Sequence, residues 1–328
     1  MGARPVRSST AFWWRVLDVL AVVTVLPLLA AAGLSVRAAW QVYHPKRRPV
    51  RQTPASFGME AERVAISGAD GLKLAGWYIP TETAAVDTTA ADARVGVVLA
   101  HGLARNSGML MPLAKALHDA GHPVLTYDLR NYGESERDGL WRGQSPRYAI
   151  DHRAVVDHLA GRIGEGAAIA CLGMSTSSWT ALEMARLQPD LVRTVICDSG
   201  PTLHLGDTLG RMYGAMRGLL PRWLRGTLMF HVTRAVFTRA ALFFLNPVPW
   251  PHDFGEKDVR LLFIAGDSDP IARPEDIRAQ VVHYPGAEVW FVPGAGHMQA
   301  HVLAAKEYTE RVLAALPTGT DRADRAGG

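Results

Sequence analysis

Three residue types that can act together on an acyl bond fall at equivalent places in this chain: a serine after one apolar run, an aspartate after a later one and a histidine after the last. The serine is Ser175. In AIACLGMSTSSWTALEMA an apolar run leads through Gly173-Met174-Ser175-Thr176-Ser177 into a helix-forming stretch. Small residues two before and two after such a serine let a strand and a helix approach through a strained turn, which lifts the hydroxyl clear of a sheet. Ser177 stands where a second glycine would complete that pattern. The alternative is an ordinary strand-to-helix turn with Ser175 as a helix cap. A serine hydroxyl is a weak nucleophile until a base takes its proton, and an imidazole oriented by a carboxylate does so. LLFIAGDSDPIARPED offers Asp267 and Asp269 after an apolar run, and VWFVPGAGHMQA offers His297 after the final one. Asp198 is a second candidate acid. His301, one helical turn past His297, is a second candidate base. His297 and His301 also have HxxxH spacing, but no glutamate or third ligand lies within sequence reach, so no metal or organic cofactor is expected.

The elements that would position these groups alternate in type. Apolar runs at 95–100, 123–128, 168–173, 192–198, 260–265 and 288–292 predict strands. Amphipathic stretches at 110–120, 146–163, 176–188 and 274–282, with a last one ending near Leu316, predict helices. Such alternation requires crossover connections, hence a parallel sheet covered on both faces. Segments 63–67 and 72–80 read as a hairpin turning at Asp70-Gly71, and 81–94 as a loop. Cys171 and Cys197 lie within apolar runs and read as buried free thiols. His152 and His158 point to different faces of one helix and read as core or surface residues.

With His101-Gly102-Leu103 in VVLAHGLARN, these motifs resemble the α/β-hydrolase superfamily over 60–316. The resemblance implies an α/β fold with a mostly parallel eight-stranded sheet flanked by helices and a helical cap between strands 6 and 7. It implies Ser175 as nucleophile, His297 as base and Asp269, three residues past a glycine, as the acid, leaving Asp267 to shape the turn. Backbone N–H groups of Leu103 and Thr176 would form the oxyanion hole, with His101 ordering its loop, and Gly133 in PVLTYDLRNYGES would shape the adjoining floor. The implied activity is ester hydrolysis through an acyl-enzyme, on a small-molecule ester or a lipid. Amidase, peptidase or thioesterase chemistry on the same triad is an alternative, as is a non-catalytic tethered scaffold. Dehalogenase or epoxide hydrolase activity is disfavoured, because those relatives carry aspartate at the nucleophile position. Within the superfamily the chain is most similar to bacterial members with an N-terminal hydrophobic anchor.

That anchor is read from the residues themselves. Positions 19–36 carry no charge, and Trp13, Trp14, Trp40 and Tyr43 bracket them as interfacial aromatics do. A helix from Trp14 to Trp40 would cover about 39 Å, near the full bilayer with its interfaces. The alternative is a cleaved signal peptide, processed near Ala30-Ala31-Ala32. Arg4, Arg7 and Arg15 precede the run while Arg37, Lys46, Arg47, Arg48 and Arg51 follow it, which favours a cytoplasmic main domain. The expected organisation is an anchor at 1–43, a basic linker at 44–56, a hydrolase domain at 57–316 with its cap at about 201–256, and a disordered tail at 317–328. Segment 201–245 holds six arginines against one acid and many large apolar residues, Trp223 among them. It reads as a lid with solvated arginines or as one that touches anionic lipid. A net charge of +4 without any nucleic-acid motif argues against a nucleic-acid partner.

Overall fold

The computed structural model describes residues 9–81, 95–164, 166–219, 222, 225–249 and 259–317. Most of the expected 81–94 loop, the stretch 250–258, Trp223 and the tail beyond 317 lie outside these residues.

Among the described residues eight strands form one sheet in the order β1-β2-β4-β3-β5-β6-β7-β8. They are β1 (Glu62–Ser67), β2 (Lys73–Ile79), β3 (Val95–Ala100), β4 (Val124–Tyr127), β5 (Ala168–Met174), β6 (Val192–Asp198), β7 (Arg260–Gly266) and β8 (Glu288–Val292). From β4 onward every pairing is parallel, while β2 runs antiparallel to both β1 and β4. The hairpin turns where expected: Asp70 and Gly71 both adopt positive φ, 56° and 77°, which Asp and Gly tolerate best.

The helices are α1 (Ser9–Tyr43), α2 (Met111–Asp119), α3 (Gln144–Ile163), α4 (Thr176–Leu187), α5 (Leu205–Ala215), α6 (Leu228–Leu245), α7 (Pro274–Val281), α8 (Ala300–Leu303) and α9 (Ala305–Ala315). Two differ from the sequence reading. α3 begins two residues early, because Gly143 at φ 87° lets the chain turn directly into the helix. The last helix is divided at Ala304, whose φ of −121° and ψ of 44° interrupt the helical run.

The central strands β3, β4 and β5 are buried at every residue because both faces of the sheet are covered there. Their period of two divides the core: Val98, Ala100, Ile169 and Cys171 face one side, while Val97, Leu99, Ala170 and Leu172 face the other. Cys171 and Cys197 are buried free thiols, and burial pushes both well above the ordinary thiol range.

Helix α1 behaves as two segments. Between residues 12 and 34 its apolar side chains are mostly exposed, whereas Ser35, Ala39 and Tyr43, a stripe at four-residue spacing, are buried. It packs against α6. The following segment, expected as a linker, lies along the body: Asn106 donates to the carbonyls of Arg48 and Pro49 at 3.2 Å, and Arg47 donates to that of Ser135. A buried cation braces the same region. Arg130 is fully buried and reaches Asp151 at 2.6 and 2.7 Å, Asp138 at 2.8 Å and Asp70 at 3.3 Å. His44, next after α1, meets Asp138 at 3.2 Å.

Candidate active site

The turn after β5 is the sharpest feature of the sheet edge. Ser175 sits between β5 and α4 with φ 53° and ψ −115°, a conformation that non-glycine residues adopt only under constraint. The constraint is visible in the neighbours. The Ser175 N–H donates to the Asp198 carbonyl at 2.7 Å. Gly173 permits the close crossing of strand and helix, since a Cβ there would lie 2.1 Å from the Ser177 carbonyl oxygen. Ser177, in place of the second glycine, has its own function in the fold: its hydroxyl donates to the His101 carbonyl at 2.7 Å, tying the turn to the loop after β3.

The hydroxyl so presented meets the side chains from the later strand ends. Ser175 Oγ lies 2.9 Å from His297 Nε2, and His297 Nδ1 lies 2.8 Å from Asp269 Oδ2. The other oxygen of Asp269 accepts the backbone N–H groups of Ile271 and Ala272 at 2.8 and 3.0 Å. With both oxygens so engaged, the buried carboxyl group is fixed in orientation. Asp267 instead accepts from the Gly294 N–H at 2.7 Å and joins the two loops, as a turn-shaping residue would.

The rival acid and base sit elsewhere. Asp198 is fully buried and accepts hydrogen bonds from Ser199 Oγ at 2.8 Å and Tyr308 Oη at 2.9 Å. Burial raises it to about 6, against those two bonds. His301 packs edge-on against Tyr308, and burial lowers its pKa.

His101 is buried, and burial lowers its pKa too. It accepts the Leu129 N–H on Nε2 at 3.0 Å, and its Nδ1 lies 2.8 Å from the Gly102 carbonyl, so the neutral ring bridges two loops. Gly102 is needed for closeness: a Cβ there would lie 3.1 Å from Ser175 Cβ and 2.5 Å from Met298 Sδ. Leu103 and Thr176 both line the cavity that holds Ser175 and His297. Thr176 also opens α4, whose helix dipole favours negative charge at this end. Asp128 accepts the N–H groups of Ser107 and Glu134 at 2.7 and 2.8 Å, and a Cβ on Gly133 would lie 2.1 Å from Asp128 Oδ2; Gly133 itself lines a separate cavity with Arg105 and Tyr132, away from Ser175.

A family model described as alpha/beta hydrolase fold matches residues 96–241. The fold is that of the α/β hydrolases. Among relatives, an uncharacterized protein of Mycobacterium tuberculosis (strain H37Rv) is 31% identical over 182 residues, 53% of this chain and 58% of that protein. The Escherichia coli K12 protein YfhR is 34% identical over 102 residues, 30% of this chain and 34% of its own. The matched stretch therefore spans little more than half of the first relative and a third of the second. An esterase from Pyrococcus furiosus superposes with a TM-score of 0.65 at 21% identity, covering 84% of this chain and 97% of its own. A 2-hydroxy-6-oxo-6-phenylhexa-2,4-dienoate hydrolase from Rhodococcus reaches 0.57 at 15% identity, covering 78% and 99%. Likeness at such identities establishes shared architecture. Two features of the described residues escaped sequence reasoning. One is Tyr43, the last residue of α1, which lines the same cavity as Ser175. The other is the ion cluster around Arg130, whose partners lie up to 60 positions away.

Proposed function

We propose that the protein is a membrane-anchored serine hydrolase that cleaves ester bonds through an acyl-enzyme, with Ser175, His297 and Asp269 as its triad. The observation that carries this reading is the continuous relay from Ser175 Oγ through the imidazole of His297 to Asp269, at 2.9 and 2.8 Å, opening on one cavity.

The steps follow from that geometry. An ester carbonyl carbon is attacked by Ser175 Oγ while His297 Nε2 takes the hydroxyl proton. Asp269 keeps Nδ1 protonated and stabilises the resulting cation without itself taking the proton. Negative charge forms on the former carbonyl oxygen, facing the N–H groups of Leu103 and Thr176, and each such donor contributes about 3 kcal/mol to the transition state. Collapse expels the alcohol, which receives its proton from His297. Water enters, His297 deprotonates it, and a second tetrahedral species releases the acid and regenerates Ser175.

Anchoring is supported by α1, whose uncharged stretch stands clear of the body and whose final turns are packed into it. A fluorophosphonate probe tests the chemistry. Wild type should label and Ser175→Ala should not, and labelling of both proteins alike would reject the assignment.

A further inference from the structure

Two adjoining hollows of about 430 and 530 Å³ open beside the end of α1, and Arg48, Ala104 and Arg105 line both. Lys46 and Arg47 belong to the first hollow and Arg51 to the second. Five cations therefore share one continuous basin, and among the described residues no carboxylate lines either half. Nor does any of the five meet a carboxylate elsewhere among these residues. Arg47 donates to the Ser135 carbonyl, and Arg105 to its neighbour's, that of Ala104, at 3.4 Å. Other surface arginines are paired, as Arg63 is with Glu134 and Arg162 with Glu62.

The basin is a fixed surface and not a loose basic tail. Asn106 holds the carbonyls of Arg48 and Pro49, both at 3.2 Å, and Arg137 donates to the Pro45 carbonyl at 3.3 Å. The chain passes so close to the body that a Cβ on Gly108 would lie 3.0 Å from the Gln52 carbonyl oxygen. These contacts keep the cations of 46–51 beside Arg105, which comes from the loop after β3. Holding like charges together costs free energy, and an anion seated among them offsets that cost. Several converging guanidinium groups suit a phosphate, which brings more charge and more acceptor oxygens than a single carboxylate.

The place of the basin indicates where such a phosphate comes from. Gln41, in the last turn of α1, belongs to the wall of the first hollow. The basin thus begins where the apolar helix ends, and basic side chains just beyond a membrane helix are attracted to anionic lipid headgroups. We propose that the basin is a binding site for a phosphate-bearing anion, supplied by a phospholipid headgroup of the membrane that holds α1. The choice of source rests on the anchor reading above, whereas the anion chemistry stands without it, since a soluble phosphate ester offers the same groups. Ala104 directly follows Leu103, so the occupant lies against the loop that carries a proposed oxyanion donor.

The test titrates full-length protein in neutral detergent, by calorimetry, with short-chain diether phosphatidylglycerol, diether phosphatidylcholine or glycerol 3-phosphate. Ether linkages leave nothing for Ser175 to cleave, so the outcome is independent of the hydrolase reading. Phosphatidylglycerol should bind more tightly than phosphatidylcholine with the same chains. Arg48→Gln and Arg105→Gln should each weaken that binding by about fivefold, the usual effect of one basic residue at an anionic surface. Arg153→Gln, which removes an exposed cation from α3, should bind as wild type does. If glycerol 3-phosphate binds with the same dependence on Arg48 and Arg105 while the two lipids bind alike, the lipid source is overturned and the anion site stands. Unchanged affinities in both glutamine variants overturn the proposal, as do equal affinities for the two lipids without binding of glycerol 3-phosphate. Failure of the wild type to float with phosphatidylcholine vesicles is a separate result, which removes the anchor reading and with it the lipid source.

Discussion

At Ser175 the backbone conformation that presents the hydroxyl is also a source of strain, at φ 53°, and such positions cost roughly 1–3 kcal/mol. Removing the Cβ should relieve part of it. Ser175→Gly and Ser175→Ala both lose the proposed nucleophile, yet the glycine variant should be the more stable by about 1 kcal/mol, after allowing for glycine's greater freedom when unfolded. Denaturant midpoints of the two variants check this, and identical midpoints would refute it. Asp198 gives a second expectation at this scale. Burial raises its pKa to about 6, so the folded state holds that proton more tightly than the unfolded chain does. Its favourable contribution is therefore complete below the ordinary aspartate range and is lost as pH rises through about 6. Relative to wild type, Asp198→Asn should gain stability across that window, and a stability difference that stays flat from pH 4 to 7 would contradict the assignment.

At the level of elements, the turn after β5 and the loop after β3 form one unit because Ser177 Oγ donates to the His101 carbonyl at 2.7 Å. Ser177→Ala should destabilise the protein by about 1 kcal/mol and slow fluorophosphonate labelling, since the loop bearing Leu103 loses its tie. Urea titration and labelling rates measure the two effects, and normal values for both would mean that the contact is incidental. Gly173→Ala should be far worse, because the added Cβ would lie 2.1 Å from a backbone oxygen of α4's first turns. These elements were legible in the sequence because strand and helix periods are local signals. β8 occupies 288–292 as expected, and α4 ends within one residue of its expected limit. The break at Ala304 was not legible, since no proline or glycine marks it and only the packed backbone imposes it.

Across the whole molecule, the cluster around Arg130 holds together the β1–β2 turn, α3, the loop after β4 and the residue that follows α1. Burial opposes charge on Asp138, yet hydrogen bonds from His44 and Arg130 hold it well below the ordinary carboxylate range. Removing a cation from such a cluster leaves buried anions unpaired, and about 3–5 kcal/mol is the usual cost. Arg130→Met should therefore lower the melting temperature by roughly 10 °C for a domain of this size. A calorimetric shift under 2 °C would show that the carboxylates find solvent instead. The same region joins the apolar helix to the body, so this variant should also loosen the end of α1 where Tyr43 meets the cavity.

Read alone, the chain placed Ser175, Asp269 and His297 after successive apolar runs, because a strand-to-helix serine turn, a strand-end aspartate and a strand-end histidine each leave a signature within a few residues. The parallel sheet followed from alternating periods for the same reason. Tertiary structure alone decided that His297 meets Asp269 while Asp198 faces Tyr308, that an apolar N-terminal helix ends in the cavity wall, and that one arginine gathers three carboxylates. Those outcomes depend on which distant surfaces are buried against each other. Local periodicity states that a face is apolar, but it does not name the surface that will cover it.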